Sequence, residues 1–164
     1  MTRVDGVLKN LRWLMLASVI ACSDSGNNFG IEYQIPAGWE IYHSSSEIVR
    51  IRKRDVEADV DMSVHPLGAG STYADFQSIL RQYSHVTPPS QITETKEIII
   101  DNAPGIRISF EGQRVDTGVS TAGVRYLLEH NSKAYVFVYL GAGDQIAASR
   151  REARAMIESI TFSK

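Results

Sequence analysis

A chain of 164 residues has the length of one ordinary domain, enough to bury a core without disulfides or a structural metal. With 43% hydrophobic and 22% charged residues, it is neither a disordered polyelectrolyte nor a multispanning membrane protein. The formal net charge of -2 and the absence of a basic tail give no reason to expect nucleic acid as a partner.

The first residues have the form of a targeting segment. Arg3, Lys9 and Arg12 precede a short apolar run from Trp13 to Ala21, which is too short to span a bilayer, since a spanning helix needs about 20 apolar residues. The run stops at Cys22, the only cysteine, and gives way to the polar stretch from Ser23 to Asn28. Val19, Ile20, Ala21 and Cys22 resemble a bacterial lipobox, with a branched apolar residue three before the cysteine and a small residue immediately before it. The resemblance implies diacylglycerol on the Cys22 thiol, cleavage before Cys22 and acylation of the new N-terminus. Residues 1–21 are then a lipoprotein signal peptide, residues 22–28 a flexible tether and residues 29–164 the folded domain. The alternative is an ordinary secretory signal that leaves Cys22 as a free thiol, a liability in an oxidising compartment. Ser23 in place of aspartate implies, by the usual bacterial sorting pattern, the periplasmic face of the outer membrane.

From Phe29 the pattern is that of a compact α+β domain. Phe29, Ile31, Tyr33 and Ile35 alternate with polar or small residues, the period of a half-buried strand. Pro36, Ala37 and Gly38 turn the chain into a second strand carrying Trp39 and Ile41. A third strand covers Ser46 to Arg54 with its apolar side chains from Ile48 to Ile51, and a fourth alternates Ala58, Val60, Met62 and Val64 with Asp59, Asp61, Ser63 and His65. Thr72 and Asp75 approximate a capping box for a helix whose apolar face is Phe76, Ile79, Leu80 and Tyr83, with Pro88 and Pro89 in the loop after it. Four further strands begin near Ile92. Asp101–Asn102 and Asn131–Ser132 supply the positive φ angles of tight hairpins. A last helix from about Asp144 to Ser159 turns Ile146, Ala153, Met156 and Ile157 inward and leaves Arg150, Arg151 and Arg154 solvated, before a short strand at Ile160 to Phe162.

The stretches "YQIPAGWEI" near the start and "ARAMIESITF" at the end resemble the opening and closing signatures of the PsbP-like superfamily, including the DcrB-type bacterial lipoproteins. The resemblance covers Phe29 to Phe162. It implies an antiparallel sheet covered by helices on both faces, an α/β/α sandwich, and members that are mostly accessory or assembly proteins. Fold alone does not decide activity.

Catalytic signatures are missing from the sequence. His43, His65, His85 and His130 fall in separate elements with no metal-ligand spacing, although a sheet can bring His43 and His65 together; no metal or other cofactor is expected. "GAGS" at Gly68 and "GAGD" at Gly141 read as flexible strand-to-helix turns. Tyr135, Phe137 and Tyr139 share one face of a strand whose other face is Ala134, Val136 and Val138, the pattern of a strand buried on both sides. Arg50, Arg52 and Arg54 alternate opposite Glu57, Asp59 and Asp61, so a hairpin would set opposite charges against each other. The same three arginines are the candidate partner-binding stripe. The expectation is a non-enzymatic, membrane-anchored envelope lipoprotein that serves an envelope protein as an accessory or assembly module. The alternative is a periplasmic binding protein for a small ligand, a metal ion or an anion.

Overall fold

Period-two patterning builds most of this molecule. The computed structural model describes residues 22–67, 91–113, 117–142 and 146–163. Within them lie β1 (Cys22–Asn28), β2 (Ile31–Pro36), β3 (Trp39–Ser44), β4 (Ile48–Lys53), β5 (Ala58–Pro66) and β6 (Gln91–Ile100). There follow β7 (Ala103–Gln113), β8 (Ser120–His130), β9 (Lys133–Gly141), one helix α1 (Ile146–Glu158) and β10 (Thr161–Phe162). The helix anticipated after Thr72, its following prolines and the first glycine turn lie outside the described residues, as do residues 1–21.

Seven strands form one antiparallel sheet in the order β3-β4-β5-β9-β8-β7-β6. Its long hairpins close where short polar residues take left-handed backbone angles. Asp101 and Asn102 (φ 45° and 63°) join β6 to β7, and Asn131 and Ser132 (φ 48° and 57°) join β8 to β9, as their chemistry predicts. The smaller sheet, β1-β2-β10, lies with α1 on one face of the large one. The main core fills this interface. Tyr33 and Ile31 from β2, Tyr126 from β8, Phe137 and Tyr139 from β9, and Met156 and Ile157 from α1 are almost wholly buried in it. Each such side chain contributes about 1.5–3 kcal/mol of burial. The opposite face is buried too, with Ile108, Phe110, Leu127, Val136 and Val138 in a second cluster. β9 is therefore apolar on both sides, as its sequence requires.

Two expectations need correction. The fold is not a sheet covered by helices on both faces: among the described residues there are ten strands and one helix, and the layer over the main core is a second sheet together with α1. The α/β/α expectation followed from the resemblance, and the polar β1 carries no period-two signal that would announce a second sheet. Residues 22–28, expected as a tether, form that strand and pair with β2 from Asn28↔Ile31 to Cys22↔Pro36. Backbone hydrogen bonds and packing outweigh the poor strand propensity of this polar run. Gly26 lies directly beneath the Tyr33 ring, where any side chain would collide, and the Tyr33 hydroxyl donates to the Asn28 side-chain carbonyl at 3.0 Å.

Candidate functional site

Val19, Ile20 and Ala21 lie outside the described residues, and Cys22 is the first residue of β1. The arginine stripe is resolved in detail. β4 and β5 pair with Arg50 opposite Asp61 and Arg52 opposite Asp59, the juxtaposition that the charge alternation predicts. Arg50 Nε is 3.7 Å from Asp61 Oδ1. Arg52 and Arg54 turn instead to Glu40 on β3. Arg52 donates from Nε and Nη2 to Glu40 Oε1 at 2.9 and 2.8 Å, and Arg54 Nε donates to Glu40 Oε2 at 2.8 Å. Hydrogen bonds from Arg52 and then Arg54 hold the Glu40 carboxyl below the usual carboxylate range. Sequence periodicity missed Glu40 because it sits on the neighbouring strand rather than in the charge run.

β3 is an edge strand, and its outer surface is apolar as well as charged. Ile41 and Tyr42 are exposed, and the Arg52 guanidinium lies over the Tyr42 ring, 5.3 Å from its centroid. A groove of about 480 Å³ beside this edge is lined by Trp39, Ile41 and the paired Glu40 and Arg54.

The histidines do not assemble. His43 lies opposite Arg50, level with Asp61, and His65 is four residues further along β5, about 13 Å by strand rise. His65 Nε2 is 3.1 Å from Ser63 Oγ, and burial pushes its pKa down. His130 stacks on Phe162 with ring centroids 4.1 Å apart. Among the described residues no three metal-ligating side chains converge.

A second site lies between α1 and the large sheet, and no motif announces it. Arg107 and Ser109 on β7 face Tyr126 and Val124 on β8, and Val124 faces Tyr139 on β9. Arg150 and Arg154, one helical turn apart on α1, complete a cavity of about 190 Å³ above them. Glu94 on β6 stands at the rim and accepts from Arg107 Nη2 at 2.9 Å. Arg107 is also within hydrogen-bonding reach of the Tyr126 phenol, whose pKa is raised by burial and by the Glu158 charge against the opposing pull of Arg107. Tyr139 donates to or accepts from Ser149 Oγ at 2.8 Å and so fixes the height of α1 over the sheet. Arg150, expected to be solvated, is half-buried here, and its Nε is buried without a hydrogen-bond partner; Arg107 Nε is in the same condition. No local signal could have joined these residues, because strand alternation and helical spacing bring them together only through the tertiary packing of α1.

Neither a family model nor a curated protein matches the sequence. The fold has solved counterparts. Cyanobacterial PsbP (CyanoP) from Synechocystis is similar over 89% of this chain and 95% of its own, with a TM-score of 0.58 and 12% identity. LpqN of Mycobacterium tuberculosis, described as involved in cell envelope biogenesis, is similar over 82% of this chain and 83% of its own, with a TM-score of 0.56 and 12% identity. A Bacteroides thetaiotaomicron protein is similar at a TM-score of 0.55 and 12% identity over 82% of this chain, which spans only 46% of that protein. The architecture is thus PsbP-like.

Proposed function

We propose that this chain is a non-enzymatic accessory protein of the bacterial cell envelope, anchored at the periplasmic face of the outer membrane through lipidated Cys22 and docked to an envelope protein. The lipobox from Val19 to Cys22 supports the anchor. Two or three acyl chains would hold the protein stably where one would not. Because β1 begins at Cys22, the lipid would join the folded domain with no spacer and keep it against the bilayer surface. The PsbP-like architecture shared with LpqN supports an envelope role.

One patch carries the docking half of this function: Tyr42 and Arg52, stacked on each other, lie exposed with Arg54 at the β3 edge of the sheet. Tyrosine and arginine together are the composition of interface hot spots, and an edge strand adds unpaired backbone groups. Glu40 pre-orders both guanidiniums, so little side-chain freedom is left to lose on docking.

In-cell crosslinking of the full-length, tagged protein tests this role, with the Arg50, Arg52 and Arg54 to alanine triple variant alongside. The expected result is one reproducible envelope protein captured by the native chain and lost in the variant. Labelling with palmitate tests the anchor, and Cys22→Ser is expected to abolish it. Persistent labelling of Cys22→Ser, or capture unchanged in the triple variant, would overturn the corresponding half.

A further inference from the structure

We infer that the cavity between α1 and the large sheet is a binding site for a phosphate group, held by Arg107 from the sheet and by Arg150 and Arg154 from the helix. The inference is independent of the membrane anchor and of the β3 patch, since it concerns a different face of the sheet.

Charge is the first ground. Three guanidiniums line the cavity against a single lining carboxylate, Glu94. Glu94 is committed to Arg107 Nη2 at 2.9 Å, and Arg154 Nε donates at 2.7 Å to Glu158, whose charge also reaches Tyr126, so two of the three guanidiniums are paired and the third, Arg150, is the excess charge. Arg150 has no carboxylate partner among the described ion pairs. Positive charge is therefore in excess within the cavity, in a setting less screened than the surface.

Unmet hydrogen bonding is the second. The Nε atoms of Arg107 and Arg150 are both buried with no acceptor. A buried charged donor without an acceptor is costly, and a guanidinium edge is shaped to meet an oxyanion with two parallel N–H donors. An oxyanion with several charged oxygens can be met at once by guanidiniums from the sheet and from the helix, which a single planar carboxylate satisfies less completely. Ser109 and Tyr126 add neutral hydroxyl donors, and burial keeps the Tyr126 phenol protonated so that it can donate.

Size is the third. A volume of about 190 Å³ is far below that of sites for drug-sized ligands. It holds about six water molecules' worth of liquid, enough for a phosphate and a small attached group. Glu94 and Arg154 are half exposed, so the mouth opens between them. Either a free phosphate or a phosphate carried by a lipid headgroup presents the chemistry that this mouth would admit. By contrast, the groove beside β3 offers an arginine, Arg54, already bonded to Glu40.

Calorimetric titration of the purified full-length chain with inorganic phosphate tests the site, with folding of each variant checked by circular dichroism. Native protein is expected to bind one phosphate per chain. Arg150→Gln is expected to weaken binding about tenfold or more, the scale of losing one charge-assisted hydrogen bond. Arg107→Gln should do the same, and if it fails to fold, Arg150→Gln alone decides. Arg151→Gln, on the same helix but exposed, should bind as native. No heat with native protein at millimolar phosphate, or equal affinity in native and Arg150→Gln, overturns the inference. A parallel titration with phosphatidylglycerol vesicles, using phosphatidylcholine vesicles as control, separates the sources. Displacement of bound phosphate by the anionic vesicles assigns the site to a lipid headgroup, and its absence assigns it to a free phosphate solute.

Discussion

Trp39 donates its indole N–H to Glu152 Oε2 at 2.8 Å, which joins the first strand of the large sheet to the middle of α1 across 113 residues of sequence. Lys53 Nζ donates to the same oxygen at 2.6 Å, so one carboxylate serves two donors from β3 and β4. Lys53 keeps only 15% of its side-chain surface exposed, and removing its partner would leave a largely buried ammonium without an anion.

Replacing Glu152 with alanine should therefore lower stability by about 1–3 kcal/mol, more than an exposed ion pair is worth. Urea denaturation followed by circular dichroism measures the loss. A change indistinguishable from that of Arg151→Ala on the exposed side of the helix would show that the junction contributes nothing.

Glu40 governs a second prediction, in acid. Its carboxyl pKa is lowered in the folded state by the hydrogen bonds from Arg52 and Arg54. The stability it contributes is thus fully present above the ordinary carboxylate pKa and is lost as pH falls through the lowered folded value. Denaturation midpoints measured from neutral pH into acid should fall less steeply for Glu40→Gln than for native protein, with the two curves converging at the acid end. Parallel curves would mean that the Arg52 and Arg54 bonds carry no pH dependence.

Tyr33 makes the mirror-image prediction in alkali. Burial pushes its phenol up to about 12 from an ordinary 10.0. The raised value means that its contribution is fully present below the unfolded pKa and is lost as pH rises through the folded one. Ultraviolet titration of the native protein should show this tyrosine ionising only near that pH or together with unfolding. Tyr33→Phe should lessen the alkaline loss, the rest coming from the other buried tyrosines, and it should also free the Asn28 carbonyl and loosen β1.

Much of this architecture was legible because it depends on neighbours in sequence. The two-sided burial of β9, the Asp101–Asn102 and Asn131–Ser132 turns, the inward face of α1 and the Arg50–Asp61 pairing all follow from local period or turn chemistry. What escaped depends on clearance between distant segments. β1 reads as a polar tether until Gly26 is seen to make room for Tyr33. The arginine cavity needs Arg107 and Arg150 to meet across an interface whose height is set by Tyr139 and Ser149, a distance that no sequence pattern encodes.

Clearance also governs the last prediction, at Gly123 on β8. Its strand partner Phe110 lies over it, and a Cβ at this position would collide with the Phe110 ring tip and stand 2.6 Å from the Tyr139 carbonyl oxygen. The ring also carries the Arg125 guanidinium over it, 4.2 Å from its centroid. An aromatic ring covering a strand glycine in this way replaces the packing that the missing side chain would give. Gly123→Ala must displace the ring, break its stacking with Arg125 and press on the β9 backbone, at a cost of about 1–3 kcal/mol. Phe110→Leu shortens the overlying side chain, so the same alanine substitution should cost less in that background, and the difference measures the coupling. Equal costs of Gly123→Ala in the two backgrounds would place the strain at the Tyr139 carbonyl alone and remove the ring from the explanation.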